Sequence, residues 1–373
     1  MTSRELVCQA IHREPTPALP VDLGGSITGI TREACRKLCA HLGRTQALEV
    51  ICKPLQLVEP PAFILEALGI DTRYLRPSLS IDNELEEEYT DDWGVTRRLS
   101  SNRYYYDIVD CPLKEGRLRE IERFAWPEPA NKALFAGLRG RAEALSRSGY
   151  ALVADPLAPA VFEPAWYLRG MENLLIDFID NRRYALRLLE TLLEFQLQFF
   201  DAFLSEVGDF IQVVMFGDDL GTQNAPMMSP QLYREVIKPF HSRLFGFVKT
   251  RTRAKLFLHS CGSIEPLIED LIDTGIDILH PLQPRALNMD HALLKERYGD
   301  RLCFWGGVDI QQTLIGPLDG IAREVELRAR TLGKDGGYVL SPAHNLQPDT
   351  PPENIIELYG SAKAYSPRQA GNR

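Results

Sequence analysis

Three side chains in the last third of the chain have the chemistry of a metal site. His259 and Cys261 form a His-x-Cys pair at the end of the apolar run Lys255–His259. Residues two apart on an extended segment point the same way, so an imidazole nitrogen and a thiolate can address one point, and zinc accepts that mixture. His344, just after the run Tyr338–Pro342, is the candidate third ligand, which would leave one tetrahedral position open. The alternative is a buried thiol at Cys261 beside a hydrogen-bonded loop histidine.

Three carboxylates are candidates for acid/base or substrate-orienting work. Asp218 and Asp219 directly follow a strongly apolar run, and Glu163 follows another. We expect Asp219 to orient a cationic or hydrogen-bonding group of the substrate, with Asp218 beside it. Capping of a helix or hydrogen bonding within a loop is the alternative for the pair. Glu163 is either an acid/base or a distant fourth ligand, unless it is a structural glutamate with satisfied hydrogen bonds.

The elements that must position these side chains are strand-length apolar runs. Near-continuous apolar runs are typical of parallel strands buried on both faces, and their alternation with helical patterns predicts β/α units. Eight such strands suggest a closed (β/α)8 barrel, in which the active site lies at the carboxyl ends of the strands. The eight runs are Val21–Gly25, Thr72–Arg76, Leu152–Pro156, Ile211–Asp218, Lys255–His259, Ile278–Leu282, Leu302–Val308 and Tyr338–Pro342.

The rest of the chain is assigned to helices and to one insertion. We expect residues 1–373 to form one barrel domain with an N-terminal helical segment. Residues 80–125, with a charged run and the aromatic cluster Tyr104–Tyr106, predict an insertion with a short hairpin between early strands. Helical patterns cover Leu174–Val207, Pro230–Thr250 and Ile264–Thr274.

Composition narrows the class of partner. The chain has 373 residues with a formal net charge of -9, which argues against non-specific binding to nucleic acid or to an anionic membrane. No apolar stretch approaches the roughly 20 residues that span a bilayer, and no signal peptide is evident at the start. Seven scattered cysteines do not form a disulfide framework, so we expect a reducing, cytoplasmic setting.

Several motifs together resemble the uroporphyrinogen-decarboxylase-like superfamily, and they cover nearly the whole chain. The most specific of these motifs lie in the last third of the chain. The full set of motifs is Pro20–Gly25, Asp91–Gly94, Gly217–Gly221, Ser229-Pro230, Tyr233, Lys238-Pro239, His259–Gly262 and Ser341–Ile355.

The resemblance implies a barrel fold and one of two activities. One branch of the superfamily is uroporphyrinogen decarboxylase, which uses neither metal nor cofactor. The other comprises zinc methyltransferases that pass methyl groups among corrinoid proteins, thiols or pterins and methylated substrates. That second branch carries His-x-Cys and a distant cysteine, and His259 and Cys261 match the first two positions. The distant position holds His344 here, a departure that leaves a single thiolate in the set.

The decarboxylase branch also carries an N-terminal signature of arginines flanking an Ala-Gly pair, which helps to hold the carboxylates of its substrate. The corresponding segment, Pro20–Thr31, has glycines and threonines instead, and Arg32 and Arg36 are expected on the following helix. A substrate with many carboxylates needs several Arg or Lys donors. The resemblance therefore favours the methyltransferase branch.

We accordingly expect a zinc-dependent methyltransferase that moves a methyl group between a small methylated substrate, or a thiol or pterin, and a corrinoid. The chain has no corrinoid-binding Asp-x-His-x-x-Gly pattern, so the corrinoid is expected on a separate protein that docks at the barrel mouth, near Tyr104–Tyr106. Two alternatives remain: a metal-free decarboxylase of the uroporphyrinogen type, and a non-catalytic binding protein that keeps the fold.

Overall fold

The computed structural model describes residues 1–78, 84–157 and 160–365. The helices are α1 Ser3–Ile11, α2 Arg32–His41, α3 Ala62–Leu68, α4 Leu118–Arg123, α5 Leu138–Ser146, α6 Phe162–Arg169, α7 Met171–Asp180, α8 Arg182–Val207, α9 Pro230–Val236, α10 Lys238–Arg251, α11 Ile268–Asp273, α12 His291–Tyr298, α13 Ile321–Thr331 and α14 Pro352–Ala364. Short 3-10 helices cover Lys132–Phe135, Glu265–Leu267 and Leu318–Gly320. Within these ranges, no helix has both the length and the apolar character needed to cross a membrane.

The strands fall into three sheets, of which one forms the body of the fold. They are β1 Ile30–Thr31, β2 Val50–Cys52, β3 Leu57–Val58, β4 Thr72–Leu75, β5 Glu88–Thr90, β6 Thr96–Leu99, β7 Tyr106–Asp110, β8 Ala151–Ala154, β9 Val213–Gly217, β10 Lys255–His259, β11 Ile278–His280, β12 Cys303–Val308 and β13 Tyr338–Pro342. The main sheet is parallel and has seven strands in the order β4-β8-β9-β10-β11-β12-β13.

A short segment around Val21 closes this sheet into a barrel. Val21 forms a parallel bridge with Leu340 of β13, and its carbonyl accepts the N–H of Asp71 next to β4. The two edges of the sheet therefore meet through this segment, and the predicted β/α barrel is confirmed. This segment completes the barrel with a single bridge and not with a full strand. The prediction of a strand over Val21–Gly25, the first of the eight predicted runs, is therefore wrong beyond its start. The chain turns away at Gly24, which has φ +125° and donates its N–H to the carbonyl of Thr28.

Other sequence predictions are confirmed with changes at their boundaries. The runs Lys255–His259 and Tyr338–Pro342 are strands with the predicted limits. The insertion holds a three-stranded antiparallel sheet, β5-β6-β7, where a hairpin was expected. The expected helix over Pro230–Thr250 is divided into α9 and α10 at Ile237, because Pro239 has no N–H to continue the hydrogen-bond ladder.

Successive side chains along each strand alternate between the barrel interior and the surface that faces the helices. Inward residues form an apolar cluster that includes Met215, Phe257 and Trp305, and residues of α1 belong to the same cluster. Leu256 and Leu258 of β10 belong to the larger cluster between sheet and helices. The next inward position after Phe257 is His259, so the period of two along β10 places an imidazole at the carboxyl end of the barrel.

Two glycines bring the loops after β9 and β10 into backbone contact. Gly262 has φ +86°, and a Cβ there would lie 2.5 Å from the carbonyl oxygen of Thr222. A Cβ on Gly221 would lie 2.7 Å from the carbonyl oxygen of Cys261. The N–H of Ser263 donates to the Thr222 carbonyl at 2.7 Å. The position of Cys261 is therefore fixed by contacts that only glycine permits on both sides.

We expect Gly262→Ala to lower the free energy of unfolding by about 2 kcal/mol or more, because a positive φ and a backbone clash both oppose a Cβ. Gly246→Ala is the matched control, since a Cβ at Gly246 of α10 meets nothing within 4 Å and alanine favours a helix. Urea unfolding of both variants measures the difference. Equal stability would contradict the proposed constraint on the loop that carries Cys261.

Candidate metal centre

The structure brings the three predicted metal ligands together at the carboxyl end of the barrel. His259 is the last residue of β10, Cys261 follows two residues later, and His344 lies two residues after β13. One ligand atom from each residue lies within 4.8 Å of the others. The Cys261 Sγ is 3.3 Å from Nε2 of His259, and the rings of His259 and His344 have centroids 5.5 Å apart. The three side chains can therefore address one ion, as expected, although their role as ligands stays a prediction.

A second histidine orients His259. Nδ1 of His259 lies 2.7 Å from Nδ1 of His280, which is the residue paired with it across the β10–β11 register. Burial lowers the pKa of His280 well below its usual value, so His280 is neutral. In the tautomer that suits a metal ligand, Nδ1–H of His259 donates to His280 and Nε2 keeps its lone pair toward Cys261.

The charge around Cys261 suits a cation. Burial, followed by the negative charge of Asp219, raises the pKa of the Cys261 thiol well above its usual value. Burial also lowers the pKa of His344 to about 4, so its imidazole is neutral and has a free lone pair. A bound divalent ion would stabilise the Cys261 thiolate despite its burial, and the nearby carboxylate would balance the charge of the ion. Two imidazoles, one thiol and adjacent negative charge fit zinc.

Asp219 connects the two loops of the site. Its Oδ1 accepts the backbone N–H of Cys261 at 2.7 Å and lies 3.4 Å from Nε2 of His259. Burial raises the pKa of Asp219, but its contacts with His259 and with the N–H of Cys261 lower it by more, so the net shift is downward. Asp219 is therefore an anionic group beside the three ligands, in the place expected for a substrate-orienting carboxylate.

Asp218 is directed to a helix. It is fully buried and accepts backbone N–H groups of Val161, Phe162 and Glu163 at the N-terminus of α6, at 3.1, 2.9 and 2.6 Å. Nε2 of His241 lies 2.8 Å from the same carboxylate. These contacts occupy both oxygens of Asp218, so the geometry favours capping of α6 over the expected contact with substrate.

Glu163 has the environment of a proton donor. It lies in the first turn of α6, and the hydroxyl of Tyr167 donates to its Oε1 at 3.1 Å. Burial, and then the charges of Asp219 and Asp218, raise the pKa of Glu163 well above its usual value. A carboxylic acid that keeps its proton near neutral pH can act as a general acid. Its predicted role as an acid/base is compatible with this position.

Sequence reasoning missed the residues that support the ligands and carboxylates. His280, His241 and Tyr167 were not among the predicted site residues. The signal for His280 is its place at the end of a strand adjacent to the His259 strand, because parallel strands in register align their ends. The contact of His241 with Asp218 depends on how α10 packs, which no spacing in the sequence indicates. Tyr167 and Glu163 are four residues apart on α6, a spacing that places two side chains on one face of a helix.

Comparison with known proteins assigns the family. The family model for uroporphyrinogen decarboxylase (URO-D) matches residues 157–365, more than half of the chain. The chain belongs to the URO-D family. The matched region includes every predicted site residue from Glu163 to His344.

Relatives within the URO-D family include two kinds of enzyme. A uroporphyrinogen decarboxylase from Chlorobium phaeobacteroides is 24% identical over 98% of this chain and 99% of that protein. The methylcobamide:CoM methyltransferase MtaA from Methanosarcina barkeri is 30% identical over 37% of this chain and 38% of that protein. The solved structure of a methyltransferase from Methanosarcina mazei has a TM-score of 0.70 at 18% identity and covers 98% of this chain and 99% of that one, which supports the fold.

We expect the His280 contact to contribute to metal affinity in this URO-D protein. His280→Ala removes the acceptor for His259 Nδ1–H and should weaken zinc binding about 10- to 100-fold, the usual effect of losing such a partner. His280→Asn keeps an acceptor near the position of Nδ1 and should recover much of the affinity. Competition with a chromophoric chelator measures both variants. An unchanged zinc affinity in His280→Ala would contradict the proposed role of His280 in orienting His259.

The two adjacent aspartates should differ in their effect on stability. Asp218→Asn places an amide donor among four N–H groups, so we expect the free energy of unfolding to fall by about 2–3 kcal/mol. Asp219→Asn should leave the fold intact, because its side chain is 28% exposed and keeps one oxygen for the N–H of Cys261. Urea unfolding of the pair tests the assignment, and a larger loss in Asp219→Asn would contradict it.

Proposed function

We propose that this chain is a zinc-dependent methyltransferase. It would move a methyl group between a small methylated substrate, or a thiol or pterin, and a corrinoid carried by a partner protein. The observation that carries the proposal is the His259, Cys261 and His344 set, whose ligand atoms lie within 4.8 Å of one another. Three protein ligands leave the fourth tetrahedral position for substrate, as catalytic zinc sites do. Bound zinc would supply Lewis acidity, either to activate a thiol or to polarise a methoxy or amine leaving group.

The protein's own groups position and protonate the substrate in this proposal. Asp219 is held by the N–H of Cys261 and orients a polar or cationic group of the substrate. Glu163 holds a proton at its carboxyl group, beside the hydroxyl of Tyr167, and can supply it to a leaving oxygen or nitrogen. Asp218 keeps α6 in place, so that Glu163 in its first turn remains next to Asp219.

The docking surface for a corrinoid protein is proposed at the barrel mouth with the adjoining insertion. Tyr105 is 43% exposed on this insertion and is available to a partner. Tyr106 is buried, and its hydroxyl donates to the carbonyl of Glu86, so it supports the inner face of the β5-β6-β7 sheet. The expected aromatic docking cluster is therefore reduced to its more exposed members.

Metal-free decarboxylation is the second candidate, favoured by similarity to a uroporphyrinogen decarboxylase along nearly the full chain. The arginines near the start of the barrel argue against it. Arg76, directly after β4, is paired with Asp155 and Glu59. Arg32 and Arg36 lie on α2 as expected, and Arg36 is exposed and paired with Glu33. A non-catalytic role is less consistent with reactive groups that converge at a partly open mouth.

Metal content and activity should fall together when the thiolate is removed. We expect purified protein to hold about one zinc per chain, and Cys261→Ser to weaken zinc binding and to slow demethylation of free methylcobalamin by a thiol. Cys8→Ser is the matched control, since Cys8 lies on α1 at the other end of the barrel and is also partly buried. Elemental analysis and corrinoid absorbance give the two readouts.

Two results would contradict the proposal. One is wild-type protein without stoichiometric zinc after growth with added zinc. The other is demethylation that survives both chelation and Cys261→Ser. In either case decarboxylation of uroporphyrinogen, followed by product analysis, becomes the assay of choice.

A further inference from the structure

The backbone at Cys261 donates its N–H groups to side-chain oxygens from two neighbouring loops. The N–H of Cys261 itself donates to Oδ1 of Asp219 at 2.7 Å, in the loop after β9. The next N–H, that of Gly262, donates to Oε1 of Gln283 at 2.5 Å, in the loop after β11. The segment that carries the thiol is therefore held from both sides through its backbone donors.

These contacts leave the sulfur of Cys261 without a backbone donor. The third N–H of the segment, on Ser263, is engaged by the carbonyl of Thr222. Among the residues that the structure describes, no backbone N–H donates to Sγ, which instead contacts Nε2 of His259 at 3.3 Å. Hydrogen bonds to a metal-bound sulfur withdraw charge from it and tune the metal. A Cys261 thiolate that lacks them keeps its charge for the ion.

The contact with Gly262 fixes the orientation of the Gln283 amide. A backbone N–H can only donate, so the amide oxygen of Gln283 must face Gly262 and the NH2 group must point away. The side chain of Gln283 is half-buried, which limits the positions that its amide can take. Gln283 is thus an acceptor that holds one donor of the Cys261 segment.

The backbone before Gln283 is held in a strained conformation that sets where its side chain starts. Leu282 is fully buried and has φ +57°, which a side chain with a Cβ rarely adopts. Its carbonyl accepts Nε2–H of His291 at 2.6 Å, and Arg328 donates to Nδ1 of the same ring at 2.7 Å. Burial, and then the charge of Arg328, lower the pKa of His291 to about 4, so this ring is neutral. Strain that is held in this way is concentrated at functional sites.

We infer that Gln283 is a positioning residue of the metal centre, which holds the N–H of Gly262 away from the Cys261 thiolate so that the sulfur keeps its charge for the bound ion. The inference rests on the proposed function and adds the residue that sets the donor strength of its thiolate. Two neutral imidazoles bring no charge, so Cys261 is the anionic member of the three-ligand set. A change in its hydrogen bonding therefore acts on the ion directly.

The test uses Co2+ in place of zinc in the full-length protein, because the sulfur-to-cobalt charge-transfer band reports the charge on the sulfur. Gln283→Leu frees the N–H of Gly262 to donate to Sγ, so we expect this band to move to higher energy than in the wild-type protein. Zinc affinity, measured by competition with a chromophoric chelator, should fall about tenfold, as is usual when such a supporting contact is lost.

Three further variants control for bulk, for the acceptor and for folding. Gln283→Glu keeps an oxygen acceptor and should keep the wild-type band. Gln283→Ala removes the acceptor with less bulk and gives the same test if Gln283→Leu does not fold. Gln223→Leu is the matched control, because Gln223 also connects the two loops, through the carbonyl of Arg285, without touching the Cys261 segment. It should keep both the band and the zinc affinity.

A measurement without metal tests the contact itself. In zinc-free protein, amide hydrogen exchange of the peptide that contains Gly262, followed by mass spectrometry, should be faster in Gln283→Leu and Gln283→Ala than in the wild-type protein and in Gln283→Glu. Equal exchange rates in all four proteins would overturn the inference, because the N–H of Gly262 would then not depend on Gln283.

The outcomes separate this inference from the proposed function. Variants without the acceptor that bind Co2+ with the wild-type band would overturn the role of Gln283 and leave the metal centre standing. Wild-type protein that takes up neither Co2+ nor zinc would overturn the proposed function, and the role of Gln283 toward the ion with it.

Discussion

The contact between Nδ1 of His259 and Nδ1 of His280 is the interaction on which the candidate site depends. The parallel register of β10 and β11 places the two rings side by side at the carboxyl end of the barrel. Because burial keeps His280 neutral, its Nδ1 can accept a hydrogen bond from His259 Nδ1–H without adding charge next to the proposed cation. The other nitrogen of His259 is then directed to Cys261, and the glycine contacts of the following loop fix the thiol at 3.3 Å from it. His344 completes the set from β13.

Two adjacent carboxylates serve different parts of the molecule because consecutive residues after β9 point in different directions. Asp218 is sealed against the N-terminus of α6, where a helix dipole and three backbone N–H groups stabilise its charge. Asp219 lies in the mouth and adds negative charge beside the ligands. Burial, and then the charges of Asp219 and Asp218, raise the pKa of Glu163, so a proton is retained next to an anion. Structural support and proposed chemistry are therefore coupled through α6.

Sequence alone predicts the features that follow from periodicity and local spacing. Seven of the eight barrel strands and the convergence of His259, Cys261 and His344 are of this kind, because strand period and barrel topology fix them. The first strand was overestimated, since Gly24 allows a turn that an apolar pattern does not reveal. The contact of His280 was missed although the ends of adjacent parallel strands align, whereas the contact of His241 with Asp218 was missed because it depends on how α10 packs. The sequence also does not distinguish Asp218 from Asp219, because the two residues are adjacent and their different hydrogen-bond partners are set by tertiary contacts.

We propose that His344 takes the position where the resemblance to the zinc methyltransferases implies a second cysteine, so that bound zinc would have one sulfur and at least two nitrogen ligands. X-ray absorption at the zinc edge of the purified protein tests this directly. We predict one sulfur at about 2.3 Å, with the remaining ligands being nitrogen or oxygen at about 2.0–2.1 Å. In Cys261→Ser the sulfur contribution should disappear. A shell with two or more sulfurs, a shell of light atoms alone in the wild-type protein, or the absence of zinc would contradict the account.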